Sequence, residues 1–225
     1  MPKIFRRLLA LTTIFLPWPI KRRVLIAALR YDLAPSSYIG MSIILAKSLS
    51  MKAGARISHF TVISELDEVQ LGAYSSIGNF NYIGGTPRSN TVHYKEQPER
   101  RTKFSLGEHS AVTSRHLFDC TDEISIGAFT TLAGYRTQLI THGINTGLSK
   151  QECAKIEIGS YCLIGTSSVI LKGALVPDYC IIAAGAVVTH PLSSNWTLYG
   201  GVPAREISVI KETDQYFRRK VGFVQ

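Results

Sequence analysis

The sequence predicts an all-β solenoid, a parallel β-helix spanning residues 39–190, and three observations carry that prediction. An aliphatic residue falls at every sixth position: Ile158, Ile164, Ile170, Val176, Ile182 and Val188. Four positions after each of the first five stands a small residue: Cys162, Ser168, Ala174, Cys180 and Ala186. The residue after the aliphatic is often one that suits a corner, as at Gly159, Gly165 and Pro177. A beat of six is neither the helical period nor plain strand alternation, although the small residue and the next aliphatic lie two apart on one strand face. Short strands joined by tight corners satisfy it, with the aliphatic inside and the small residue where the corner narrows.

The elements follow in chain order. Residues 1–38 form a basic, apolar segment with short helices. Lys3, Arg6, Arg7, Lys21, Arg22, Arg23 and Arg30 face no acid before Asp32, so this segment supplies +7 of the formal +9. Residues 8–20 are uncharged but contain Pro17 and Pro19, too short and broken for a span of about 20 residues. No small-x-small cleavage site follows, which argues against a secretory signal. Residues 24–31 read as a short helix. Two readings of residues 1–31 stay open: helices that cap the coil, or peripheral contact with a membrane surface. A nucleic-acid partner is not expected, because the basic residues sit in one arm without interleaved aromatics.

From residue 39 the beat runs through Ile39, Leu45, Met51, Ile57 and Ile63, then Leu71, Ile77 and Ile83, then Leu106, Val112, Phe118 and Ile124, then Ile126 and Leu132. Breaks at 64–70, 84–105 and 138–157 read as loops projecting from corners, which a coil tolerates without losing its stacking. The insertion at 86–103 carries Arg88, His93, Tyr94, Arg100 and Arg101, and is either a solvated loop or a lid able to grip a phosphate or acidic sugar. Residues 191–225 form a tail with a helical segment.

At 225 residues, 45% hydrophobic and 18% charged, the chain can build one full core and is not of disordered, collagen-like or coiled-coil composition. Its four cysteines show no C-x-x-C pair and no zinc spacing with histidine, so free thiols in a cytoplasmic protein, at the inner face of the membrane if residues 1–31 touch it, are expected. Cys162 and Cys180, three hexads apart, should stack on adjacent coils.

Besides the hexads, two segments stand out: Thr141-His142-Gly143 before a loop and the fresh run Ile156-Glu157-Ile158-Gly159, and the closing Gly200-Gly201-Val202-Pro203-Ala204-Arg205. Together these resemble the hexapeptide-repeat acyltransferases, the family of the maltose, galactoside and xenobiotic acetyltransferases and of polysaccharide-modifying relatives. The likeness is fullest over residues 113–207. It implies a left-handed β-helix of triangular section, a homotrimer, and acetyl-CoA as co-substrate in a groove between two coils, with no metal. It also implies a histidine at the subunit boundary that takes the proton of an acceptor hydroxyl, a task for which neutral imidazole suits near pH 7. His142 matches that histidine.

For the coenzyme, Thr166, Ala184 and Thr189 match positions that touch the pantetheine arm or the nucleotide, and Arg205 matches an arginine at the phosphate end. His190 stands where the family has lysine, which should weaken phosphate attraction. The stretch around His116 matches one that holds acceptor-binding side chains, so His116 and Asp119 are candidates for acceptor contact. Packing is the other reading of His116. Asp119 could instead cap a corner or orient a histidine.

The activity implied is acetyl transfer to a carbohydrate hydroxyl. The alternatives are a non-enzymatic β-helix scaffold and an N-acetyltransferase acting on a nucleotide-linked amino sugar or an antibiotic. A zinc carbonic anhydrase on a similar coil is not expected, because no two of the histidines at 59, 93, 109, 116, 142 and 190 have that family's ligand spacing.

Overall fold

The computed structural model describes residues 3–90, 92–222 and 224. Two helices, α1 (Lys3–Thr12) and α2 (Trp18–Leu29), precede a coil whose short strands fall into three sheets visited in rotation. Within each sheet the coil strands pair in parallel with those one coil earlier and later, which is a three-sided parallel β-helix.

Register partners form three buried ladders. The first sheet stacks Leu33, Met51, Leu71, Leu106, Ile126, Ile158 and Val176. The second stacks Ile39, Ile57, Ile77, Val112, Leu132, Ile164, Ile182 and Tyr199. The third stacks Ile44, Ile63, Ile83, Phe118, Leu139, Ile170 and Val188. All are buried, and each such side chain contributes about 1.5–3 kcal/mol. Cys162 and Cys180 lie on adjacent coils, buried, with Leu163 N donating to the Cys180 carbonyl at 2.9 Å. Burial first pushes their thiols up, Cys162 to about 12 and Cys180 to about 11.

Several boundaries differ from the sequence reading. The coil begins at Asp32–Leu33, before residue 39, and ends with Thr197–Gly200, after residue 190. In the first coil Ile44, not Leu45, points inward, because that corner is one residue shorter than the hexad. The break at 64–70 is only a two-residue widening, with Glu68–Leu71 already in the first sheet. Lys103–Leu106 likewise belongs to the first sheet, leaving 85–102 as the projection. Residues 138–157 are not one loop. Gln138–Ile140 is a third-sheet strand, Ile156–Ile158 a first-sheet strand, and an antiparallel hairpin of His142–Asn145 and Lys150–Cys153 projects between them.

At the N-terminal end, Pro17 and Pro19 open α2 rather than breaking it, since proline suits a first helical turn. That helix covers the first coil with Leu25 and Leu29. Lys21 Nζ donates to the Gly40 carbonyl at 2.6 Å, and burial lowers its pKa to about 8. At the other end Arg205–Val209 pairs antiparallel with Thr197–Gly200. The tail's only helical element among the described residues is a short 3-10 turn, Gln215–Arg218, whose Phe217 packs on Tyr179 and Trp196.

The three corners are unlike one another. Between the first and second sheets stands an aromatic ladder of Tyr74, His109, Phe129, Tyr161, Tyr179 and Trp196, with ring centroids 4.2 to 5.3 Å apart. All six adopt φ of 54 to 60°, a conformation costly outside glycine, and the stacked rings compensate. Between the second and third sheets the C-terminal coils use small residues. The corner between the third and first sheets carries both projections.

Candidate functional site

The site lies on the third-to-first corner, where the hairpin leaves the coil. Asp119 and Ile140 are register partners on neighbouring coils, so His142 follows just beyond Asp119's own position in the stack. His142 Nδ1 is 2.6 Å from Asp119 Oδ2. The imidazole is 41% exposed and the carboxylate 14%, so the pair presents an open ring backed by a sheltered acid.

Asp119 is held by donors only. Thr121 Oγ1 donates to Oδ1 at 2.7 Å, Thr141 N reaches Oδ2 at 3.2 Å, and the Thr141 hydroxyl donates to the Asp119 carbonyl at 2.7 Å. A carboxylate can only accept, so Nδ1 of the neutral ring carries its hydrogen. The lone pair therefore sits on Nε2, which has no protein partner among the described residues. That is the tautomer a proton acceptor needs.

Neighbouring residues complete the surroundings. Lys172 runs over Gly143 and pairs with Glu152 on the opposite hairpin strand. Cys153 is the register partner of His142, but burial first, then Asp122, pushes its thiol up to about 11. The projection 85–102 is tied to the hairpin by Gln97, whose side-chain amide donates to the Cys153 carbonyl at 2.7 Å and accepts from Cys153 N at 2.8 Å. Tyr94 Oη donates to Gln151 Oε1 at 2.7 Å. Between the two projections opens a cavity of about 620 Å³, lined by residues such as His93, Tyr94, Gln97, Ile144 and Lys150.

Both acceptor candidates are held by protein partners. His116 is buried, its Nδ1 accepts from Thr137 N at 3.1 Å, and its Nε2 lies 2.8 Å from Thr113 Oγ1. Desolvation lowers its pKa to about 4, so it is a neutral packing residue. Asp119, the other acceptor candidate, has both oxygens engaged, by His142, Thr121 and Thr141. Arg100 is likewise no phosphate grip, since its guanidinium donates to the carbonyls of Thr86, Pro87 and Thr121.

The coenzyme candidates fall into two groups that flank the outer face of the third sheet's last strands. Thr166 and Ala184 stand on the second-to-third corner, with Arg205 beyond them on the closing strand. Coils approach closely there: a Cβ on Gly165 would meet Ala184 N at 2.5 Å, whereas one on Gly185 would meet nothing within 4 Å. Ala184 and Gly185 are thus exposed on a corner with no side chain close by. Thr189 and His190 are exposed on the other corner, the one that carries His142, and their side chains bond each other at 2.9 Å. Nothing in the sequence marks Lys172, Glu152 or Gln97, because the insertions conceal which coil position each occupies. The described residues hold no cluster suited to a metal ion.

No family model matches the chain. Among curated proteins it is similar to "Putative acetyltransferase YvoF" of Bacillus subtilis (strain 168), 28% identical over 98 residues, or 44% of this chain and 55% of that one. The chain thus matches about half the length of that relative. Among solved structures it is similar to a hexapeptide transferase family protein from Anaplasma phagocytophilum, with TM-score 0.45, 16% identity, and 84% and 82% of the two chains covered. Another is the hexapeptide-repeat containing acetyltransferase VCA0836 from Vibrio cholerae complexed with acetyl coenzyme A, with TM-score 0.48, 16% identity, and 92% and 88% covered. A third is a point mutant of AntD, an N-acyltransferase from Bacillus cereus, in complex with dTDP-4-amino-4,6-dideoxyglucose and coenzyme A, with TM-score 0.46, 14% identity, and 85% and 89% covered.

Proposed function

We propose that this chain is an acetyl-CoA-dependent O-acetyltransferase that moves acetyl directly to a carbohydrate hydroxyl, with His142 as general base. The observation that carries the reading is the 2.6 Å bond from His142 Nδ1 to Asp119, which leaves Nε2 facing outward on an accessible corner. The hexad coil and the similarity to a protein named as an acetyltransferase support it.

In the reaction, Nε2 takes the acceptor's O–H proton as the oxygen bonds to the thioester carbonyl carbon. The C–S bond then breaks, and the proton passes from Nε2 to the departing CoA sulfur. Asp119 fixes the tautomer and stabilises the imidazolium while it carries the proton. Thr166, Ala184, Thr189, His190 and Arg205 are the proposed donor contacts, with the small-residue groove admitting the amide chain of pantetheine. Cys153, although opposite His142, is held as a thiol by burial, which favours direct attack over an acyl-enzyme.

The third sheet separates the Ala184 corner from the His142 corner, so the reading includes a homotrimer in which a neighbour's groove faces the base. The test is to incubate the purified protein with labelled acetyl-CoA and a panel of glycan hydroxyl and amino-sugar acceptors. The expected outcome is label on a hydroxyl and none retained on protein. Transfer only to amines would favour N-acetylation, and no transfer to any acceptor would favour a scaffold.

A further inference from the structure

An amphipathic helix on a globular body ordinarily turns its apolar stripe inward, and α1 does the reverse. Ile4, Leu8, Leu11 and, just past the helix, Phe15 follow the spacing of one helical face and are 73%, 57%, 50% and 82% exposed. The face against the coil is made by Ala10 and Thr13, both buried, by the partly buried Leu9, and by Arg6, whose guanidinium donates to the carbonyls of Ala46 and Lys47. Packing of α1 on the body therefore leaves its apolar face outward.

Charge selects the occupant. Residues 1–31 carry seven basic residues and no acid; Arg6, Lys21 and Arg22 donate to backbone carbonyls and Arg7 pairs with Glu65, while Arg23 and Arg30 are exposed. A second copy seated on this stripe would bring two strongly positive segments together, whereas an anionic leaflet attracts them. α1 has ten residues, about 15 Å of helix, half of a hydrocarbon core of about 30 Å. No described helix is long and apolar enough to cross a membrane, so this one would lie along the surface. We propose that α1 docks the protein on an anionic phospholipid bilayer, with Ile4, Leu8, Leu11 and Phe15 inserted among the acyl chains near the headgroups. The inference is independent of acyl transfer.

Sedimentation with vesicles tests it, comparing phosphatidylcholine alone with phosphatidylcholine containing about 30% phosphatidylglycerol. The full chain should pellet with the anionic vesicles and bind neutral ones about tenfold more weakly. The Leu8→Glu/Phe15→Glu variant should lose about tenfold or more of that anionic binding, as should Phe15→Glu alone in smaller measure. Both changes lie at exposed positions, and circular dichroism should match the parent chain. The proposal is overturned if the parent chain stays in the supernatant with anionic vesicles, or if the double variant binds as well as the parent. It is overturned equally if the double variant lowers the oligomeric mass without vesicles, which would make the stripe a contact between copies.

Discussion

His142 and His116 are the same residue type put to opposite uses by their surroundings. One ring stands at a corner against a carboxylate; the other is sealed inside with both nitrogens engaged. Asp119→Asn keeps the shape of the corner but offers an amide that can donate to Nδ1 and favour the wrong tautomer. It should lower kcat by about 10²- to 10⁴-fold, with the Kd for CoA unchanged by calorimetry. For His116 the linkage runs through acid. Its folded pKa is about 4 against an ordinary 6.5, so between these values the unfolded chain binds more protons. The stabilisation is fully present above about pH 6.5 and fades as pH falls towards 4, by up to about 3 kcal/mol. Urea unfolding of the parent and of His116→Gln across that range should show a flatter pH dependence in the variant.

At the scale of elements, the hexad made the coil legible because a six-residue side tolerates only large and small residues at fixed places. Corners that depart from six conceal register: the beat lands on Leu45 where Ile44 points inward, and a seven-residue step from Leu132 hides Leu139. For the same reason the pairing of Asp119 with His142 is hidden in the sequence, since the coil between them takes 21 residues and His142 lies two beyond Asp119's register partner, a spacing that resembles no motif. In the aromatic ladder only Tyr161 and Tyr179 keep the three-hexad spacing, and the other steps, of 35, 20, 32 and 17 residues, hide it. It should nevertheless be structural: Tyr161→Ala removes stacks to Phe129 and Tyr179 at 4.7 and 5.3 Å, and about 2 kcal/mol of stability should go with them in chemical denaturation. Gln97 is the clamp between the two projections. With the cavity between the projections proposed to seat the acceptor, Gln97→Ala should raise the acceptor KM about tenfold and leave kcat nearly unchanged in steady-state kinetics, because it positions a wall rather than a reacting group.

At the scale of the whole molecule, the prism keeps its chemistry on edges. The proposed base, His142, occupies one edge of the third sheet and the proposed donor corner at Ala184 the other, so a working site is proposed to need two copies. Two inactive variants, His142→Ala and Ala184→Trp, should complement when co-refolded. A random mixture would recover up to about a quarter of parental activity, the share of boundaries with both intact halves. The measurement that bears most directly on the central claim is acetyl transfer by His142→Ala alongside CoA affinity and oligomeric mass. A loss of about 10²-fold or more in kcat, with affinity and mass unchanged, is the predicted result. Undiminished turnover in that variant would contradict the account.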